Sequence, residues 1–317
     1  MGRRTTVAVV LSAVLIAVLA ALLWLRRDRT AADTGPQAGR VPSQEPAAEQ
    51  LAGTNGLIPP LNLSTVSDSL RGVLGYGEKK NYITRVRAVQ ELGRNLPLAD
   101  VQALYAFLNK RASQDNLPPA ELNTVKNNIL NVLGRQTKPP TNFGRVLIAM
   151  SRDKEHDVLW RDYCLQHLGG WYRKAASDDE KEDIASALWD ATGEKKGSIS
   201  GTALLSLSFN VGGPGIAEKA VSGKALQACQ DKEYSEMAKI TALQVCATLG
   251  ETQALPVARD LATGSGNALL RMSALAAIGA LGDARDRPLL EKYAASSDVR
   301  LRKAARAALD KLNARFP

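Results

Sequence analysis

Cys164-x-x-His167 and Glu155-His156 are the two places where this chain comes nearest to metal or nucleophile chemistry. A structural zinc site needs four ligands, and the Cys/His pair supplies half of one with no second pair at usable spacing. The only histidines are His156 and His167, so nothing completes a shell around Glu155-His156 either. His167 follows Tyr163 by four residues and Trp160 by seven, which places it on a wide apolar helix face as a packed residue rather than a catalytic one. The glycines at 75, 77, 193, 197, 201, 212, 213 and 215 spell neither a P-loop nor a dinucleotide-binding turn. The basic TGEKKGS stretch (192–198) reads as a solvated connector. Asp178, Asp179, Glu180, Glu182 and Asp183 crowd the start of a helix, where carboxylates are favoured by the helix dipole. The expectation is therefore a protein that is not an enzyme, with no catalytic residue, no cofactor and no metal.

One cluster differs from this background. Trp160, Trp171 and Trp189 are three of the four tryptophans, and Tyr163, Tyr172, Arg161 and Arg173 lie among them. Two readings apply. The rings could fill a local core, or the set could form a protein-binding patch, because Trp, Tyr and Arg dominate interface hot spots. The patch reading carries a specific expectation: Arg161 or Trp171 stands partly exposed.

The elements that hold these residues are legible as a repeat. LLRMSALAAIGALGD (269–283) and VRLRKAARAALDKL (299–312) match at a fixed interval of 31, Arg271 aligning with Arg302 and Ala277 with Ala308. Ala238–Gly250 aligns with 270–282 at an interval of 32. Leu-Gly or Val-Gly helix endings at 92, 133, 168, 211, 249 and 281, and Leu312 after them, trace the same unit upstream. Second helices are expected over 97–112, 141–151, 178–192, 214–229, 254–263 and 285–295. Ser177 through Glu180 forms a capping box, Pro256 and Pro288 start helices, and the glycine after the first helix suits a left-handed cap. On the last helix Leu301, Ala304, Ala305, Ala308, Leu309 and Leu312 share one face, opposite Arg302, Lys303, Arg306 and Asp310. No long period-2 alternation occurs in 80–317. The fold class is all-α, an α-solenoid of about six helical hairpins and a closing helix. Cys164, Cys229 and Cys246 are expected as buried free thiols, with Cys229 and Cys246 held well apart.

NALLRMSALAAIGALGD and DVRLRKAARAALDKL resemble the short HEAT-like repeats of phycobilisome-lyase-type and related bacterial proteins, well over 233–312 and degenerately over 80–232. The body is similar to HEAT-repeat domains of bacterial membrane-anchored proteins. That resemblance implies scaffolding and protein binding. The alternatives it leaves open are a nucleic-acid-binding or DNA-glycosylase-like solenoid, and a degenerate lyase-like or hydroxylase-like enzyme. The GGPG at 212–215 and the aromatic third unit depart from the pattern.

Ahead of the body, residues 5–25 are uncharged and flanked by arginines. Twenty-one residues match a hydrocarbon core of about 30 Å. Residues 1–29 read as a retained transmembrane anchor rather than a cleaved signal peptide, 30–64 as a flexible Pro/Ala-rich tether, and 65–317 as the solenoid. The net charge is +9, of which +4 belongs to residues 1–29, so the body holds too mild a surplus to argue for nucleic acid. The tether lacks lysine and favours a body outside the cytoplasm of a bacterium. The partners expected are the membrane, through 5–25, and another protein, with no small-molecule substrate.

Overall fold

The computed structural model describes residues 57–317 other than 59, 61, 76–80 and 265, and the regular elements among them are all helical. The segment 5–25 and most of the tether lie outside the described residues. No helix among the described residues is long and apolar enough to cross a membrane. The α-helices are α1 (Asp68–Leu74), α2 (Tyr82–Gln90), α3 (Leu98–Leu108), α4 (Pro119–Gly134) and α5 (Phe143–Arg152). They continue as α6 (Val158–Trp171), α7 (Asp178–Ala191), α8 (Ile199–Ser208), α9 (Glu218–Gln230) and α10 (Glu236–Leu249). The last are α11 (Leu255–Thr263), α12 (Ala268–Leu281), α13 (Arg287–Ala294) and α14 (Val299–Asn313).

All thirteen expected helices form, and α1 is an addition that supplies a partner for α2. Each even helix packs on the odd helix before it, so the described residues contain seven hairpins rather than six and a closing helix. The even helices α2, α4, α6, α8, α10, α12 and α14 also pack one on the next, making a continuous layer. Residues 49–317 form one compact unit, and a single cluster of buried side chains runs through it from Val66 to Leu312.

Small residues let the even helices approach. Ala238, Ala242, Ala274, Ala277, Ala305 and Ala308 are all buried, as their alignment requires. On α14 Leu301, Ala305, Ala308 and Leu312 are buried while Lys303, Arg306 and Asp310 are exposed. Ser177 accepts from the Glu180 amide as an N-cap, and Pro256 and Pro288 fall in the first turn of α11 and α13. The left-handed cap holds at Gly250 (φ 73°) but not at Gly282, which is extended (φ −67°, ψ 175°). There the Asp286 carboxylate lies 2.5 Å from where a Cβ would stand, leaving glycine the residue that fits.

A second repeated device is electrostatic. Arg85, Arg161, Arg271 and Arg302 each occupy the fourth position of an even helix. Their guanidinium groups donate to Val73 O (3.0 Å), Ser151 O (2.7 Å), Ala262 O (3.2 Å) and Ser296 O (2.7 Å) respectively. These carbonyls lie at or just beyond the C-terminal end of the preceding odd helix, where backbone acceptors lack intrahelical donors and carry partial negative charge. One arginine thus closes one hairpin. The interval of 31 that aligns Arg271 with Arg302 reflects that duty.

Candidate functional site

The aromatic third unit spans α5 to α8, and most of its members point inward. Trp160 is 1% exposed; the Lys126 ammonium lies 4.7 Å from its ring centroid and the His156 ring meets it edge-on. Arg161 is buried, with Nε on Ser151 O and its fork on the Glu194 carboxylate. Trp171 is 6% exposed, packs edge-on to Phe143 at 4.8 Å and donates to Glu180 Oε1 (3.0 Å). The expectation that Arg161 or Trp171 is partly exposed is therefore wrong. Trp171 ends α6 on its inward side, and Arg161 is committed to closing the α5–α6 hairpin.

Tyr172 is buried and donates to Pro214 O (2.7 Å), while the half-buried Trp189 donates to Gly215 O (2.9 Å). The GGPG departure and the aromatic departure are thus one feature: two ring tips hold the 212–215 turn. A Cβ on Gly213 would stand 2.2 Å from the Tyr172 hydroxyl. Tyr163 is half-buried, and Arg173 is exposed with Nε on Asn210 Oδ1 (3.1 Å). Only Tyr163, Arg173 and Trp189 of the seven reach solvent appreciably.

The groups that could do chemistry are equally engaged. Cys164 is fully buried, and burial pushes its thiol well up from its ordinary value. His167 Nε2 donates to Asn127 Oδ1 (2.9 Å). Burial lowers both histidines to about 4 and Lys126 to about 8. Among the described residues no three His, Cys, Asp or Glu side chains gather into a metal-holding group. Cys229 and Cys246 are free and buried, but they are not held apart: the neighbouring Cys246 thiol, with burial, raises Cys229 far above its usual range. Their helices, α9 and α10, pack against each other, and Ser222 Oγ of α9 donates to Glu251 Oε2 (3.0 Å) just past the end of α10. A shallow recess of about 360 Å³ lies between α11 and α13, but its Arg259 and Asp286 already pair at 2.7 Å.

His156 makes a pH prediction. Its folded value of about 4 lies below its ordinary 6.5, so the fold favours the neutral form. Its stabilising effect is complete above pH 6.5 and is lost as pH falls from 6.5 toward 4. Each tenfold change in proton affinity between the folded and unfolded chain is worth about 1.4 kcal/mol. Urea midpoints of the wild type and His156→Gln should therefore diverge less at about pH 4.5 than at neutrality. Parallel pH profiles would show that His156 does not titrate with unfolding.

What remains as an accessible surface is the outer stripe of the even layer. Asn127 and Asn131 on α4, Tyr163 and Gln166 on α6, Leu205 on α8, Gln244 on α10, and Ala276 on α12 are all solvent-accessible to some degree. They recur at helical spacing, and the stripe from α4 to α12 is nearly free of charge. The odd helices present the opposite composition, with Asp178, Asp179, Glu182, Glu218, Lys219 and Lys292 exposed. Exposed Phe209 and Met237 border the even stripe. The signal for it in the sequence is the absence of charge at those positions, which a search for reactive residues passes over.

One comparison with known proteins bears on this geometry. Residues 224–310 match the family model of HEAT repeats. That span covers most of α9 through most of α14, where the intervals are 31 and 32. No curated protein matches the chain. Among solved structures, human deoxyhypusine hydroxylase in complex with glycerol is similar at 14% identity over 78% of this chain and 95% of that one. Its TM-score of 0.32 bears on neither fold nor activity. HEAT repeats are thus matched over 224–310, and the regular elements among the described residues are all helical.

Proposed function

We propose that this protein is a non-catalytic, membrane-anchored scaffold that binds another protein across the even-helix layer of its HEAT-like body. The observation that carries the reading is the uncharged stripe. Interface centres are depleted in charge, and helical repeat arrays recognise partners along extended surfaces. A nucleic-acid reading would require cations along such a surface. The stripe instead carries amides, hydroxyls and aliphatic groups. The uncharged 5–25 segment supports anchoring, and the lysine-free tether supports a body outside the cytoplasm.

Two experiments test this. A photo-crosslinker at Gln244 should yield a discrete adduct in the native cell, one at Lys292 on the odd layer should not, and adding Ala276→Lys to the Gln244-labelled protein should remove the adduct without moving the unfolding midpoint. Equal labelling from both positions would refute the surface assignment. For topology, protease added to spheroplasts should digest the body. Protection until lysis would reverse the orientation, and a mature N-terminus near residue 21 would replace the anchor with a cleaved signal.

A further inference from the structure

The positive charge of this chain is segregated. Residues 30–298 carry thirty basic and thirty acidic side chains and are neutral. The whole net charge of +9 lies in residues 1–29 and in 299–317, where six cations face the single Asp310. The second group is α14 and the few residues after it.

The placement of those cations on α14 is specific. Ile240, Leu243 and Ala247 on α10 align at 32 with Met272, Leu275 and Gly279 on α12; the first five lie in or against the core, and α12 meets this face of α10 where Ser273 Oγ donates to Ile240 O (2.9 Å). Gly279 lies against the Ala308 backbone of α14. At the intervals of 32 and 31 the same positions on α14 are Lys303, Arg306 and Asp310, all exposed. Where α12 presents an apolar contact face, α14 presents a charged one, and no helix among the described residues covers it. Lys303, Arg306 and Lys311 make no hydrogen bond or ion pair among the described residues. Arg300 beside them is held by Asp298 at 3.2 Å, and Arg315 donates to Gly279 O and Gly282 O while keeping its charge at the surface. Val299 (49% exposed) and Phe316 (37%) are apolar residues at the two ends of this face.

A face that only keeps hairpins from stacking end to end needs polarity, and mixed signs would serve. A six-to-one excess of cations over Asp310 does more. We propose that the free face of α14 is an electrostatic docking surface for anionic lipid headgroups, laying this end of the body against the bilayer that holds the anchor. The inference rests on the membrane reading above. A row of unpaired cations without a cleft suits a diffuse anionic surface rather than one stereospecific anion. Exposed Val299 and Phe316 suit the interfacial zone, where apolar side chains accompany cations. Lys and Arg near an acidic membrane each add roughly fivefold to affinity, and salt screens the attraction.

Residues 49–317, a compact unit with a self-contained core, allow a test without the anchor, so failure here is distinguishable from failure of the anchor itself. The fragment should co-sediment with phosphatidylcholine vesicles that contain phosphatidylglycerol, and should leave pure phosphatidylcholine vesicles unbound. High salt should release it. Lys303→Gln/Arg306→Gln/Lys311→Gln should weaken binding by roughly 100-fold with an unchanged unfolding midpoint, because none of the three side chains is buried or paired. Lys219→Gln/Lys224→Gln/Lys292→Gln, equal in charge and placed on the odd layer, should retain most of the binding. The proposal is overturned by absence of phosphatidylglycerol-dependent binding, by equal losses in the two triple variants, or by tighter binding to a single-stranded oligonucleotide than to the acidic vesicles.

Discussion

Arg85→Met should destabilise the first hairpins by about 3–5 kcal/mol at neutral pH, the usual cost of removing one partner of a buried ion pair. Arg85 is fully buried, and its guanidinium meets Asp115 at 2.7 Å, a carboxylate whose side chain is 4% exposed. Its Nε also closes α1 through Val73 O, and its plane lies 5.0 Å from the Phe107 ring centroid. Methionine keeps much of the packing and removes the charge. Burial alone would raise the Asp115 pKa; the hydrogen bond and charge of Arg85, helped by the Leu117 amide, outweigh it and hold the carboxyl below its ordinary value. In the wild type this stabilisation is therefore present above the unfolded carboxylate pKa of about 4 and is lost as pH falls through the lower folded value. In the variant the sign reverses. The orphaned carboxylate rises, so protonation relieves it, and the destabilisation should shrink between pH 7 and roughly pH 4. Denaturant midpoints across that range check the claim. Because repeat arrays are coupled chiefly to neighbours, amide exchange should accelerate over 68–108 and stay near wild type over 236–313. A penalty independent of pH would assign the loss to packing on Phe107 instead of to the carboxylate.

The same residue shows where sequence reading stops. Thirteen helices and their buried alanines were legible because amphipathic spacing and fixed intervals are local properties of the chain. The seven-residue α1 escaped because DSLRGVL is too short to show a period, and its existence depends on Arg85 and Asp100 arriving from distant positions. Asp100 accepts from the Ser67 amide (3.0 Å) and hydroxyl (2.8 Å) that precede α1. The aligned arginines were visible as a pattern, but their duty required knowing which odd helix ends beside each. For the third unit, composition marked Trp160, Arg161 and Trp171 as unusual without saying which way they face. Large rings with polar tips satisfy a core and an interface equally well, and the deciding partners (Glu194, Glu180 and the 212–215 turn) are 9 to 42 residues away. The Cys229–Cys246 contact was missed for a related reason. The short connection at 231–235 sets the register of α9 on α10, and helical periodicity carries no information about that offset.

Gly279→Leu should be the most damaging single substitution within the matched repeats, costing upward of the roughly 1–3 kcal/mol typical of overpacking. A Cβ at this position would lie 2.5 Å from Ala308 Cα, 2.6 Å from its Cβ and 2.7 Å from its carbonyl oxygen. Two of those three atoms are backbone, so the obstacle cannot rotate aside and α12 must separate from α14. Helix propensity acts the other way: alanine in place of an interior glycine gains about 1 kcal/mol. Gly279→Ala thus sets two effects of known sign against each other, and the backbone clash should win. Two other even helices provide a graded comparison. At Gly169 the nearest atoms are the Ser206 side chain at 2.6 Å and its Cα at 3.1 Å; at Gly201 they are Thr241 at 3.1 Å and Ala238 Cα at 3.3 Å. Alanine should therefore be worst at 279, intermediate at 169 and closest to neutral at 201, where the propensity gain nearly offsets a contact that can relax. Ala276→Leu, one turn away on the exposed side of α12, should stay within about 0.5 kcal/mol. Ala308→Gly should rescue Gly279→Ala only in part, because it removes the Cβ contact and leaves Cα and the carbonyl in place. Chemical denaturation of residues 49–317 measures the whole series. If Gly279→Ala proved neutral or stabilising, the α12–α14 approach would have to be wider than the Ala308 contact requires, and the same close stacking could not be what excludes larger residues from the even layer.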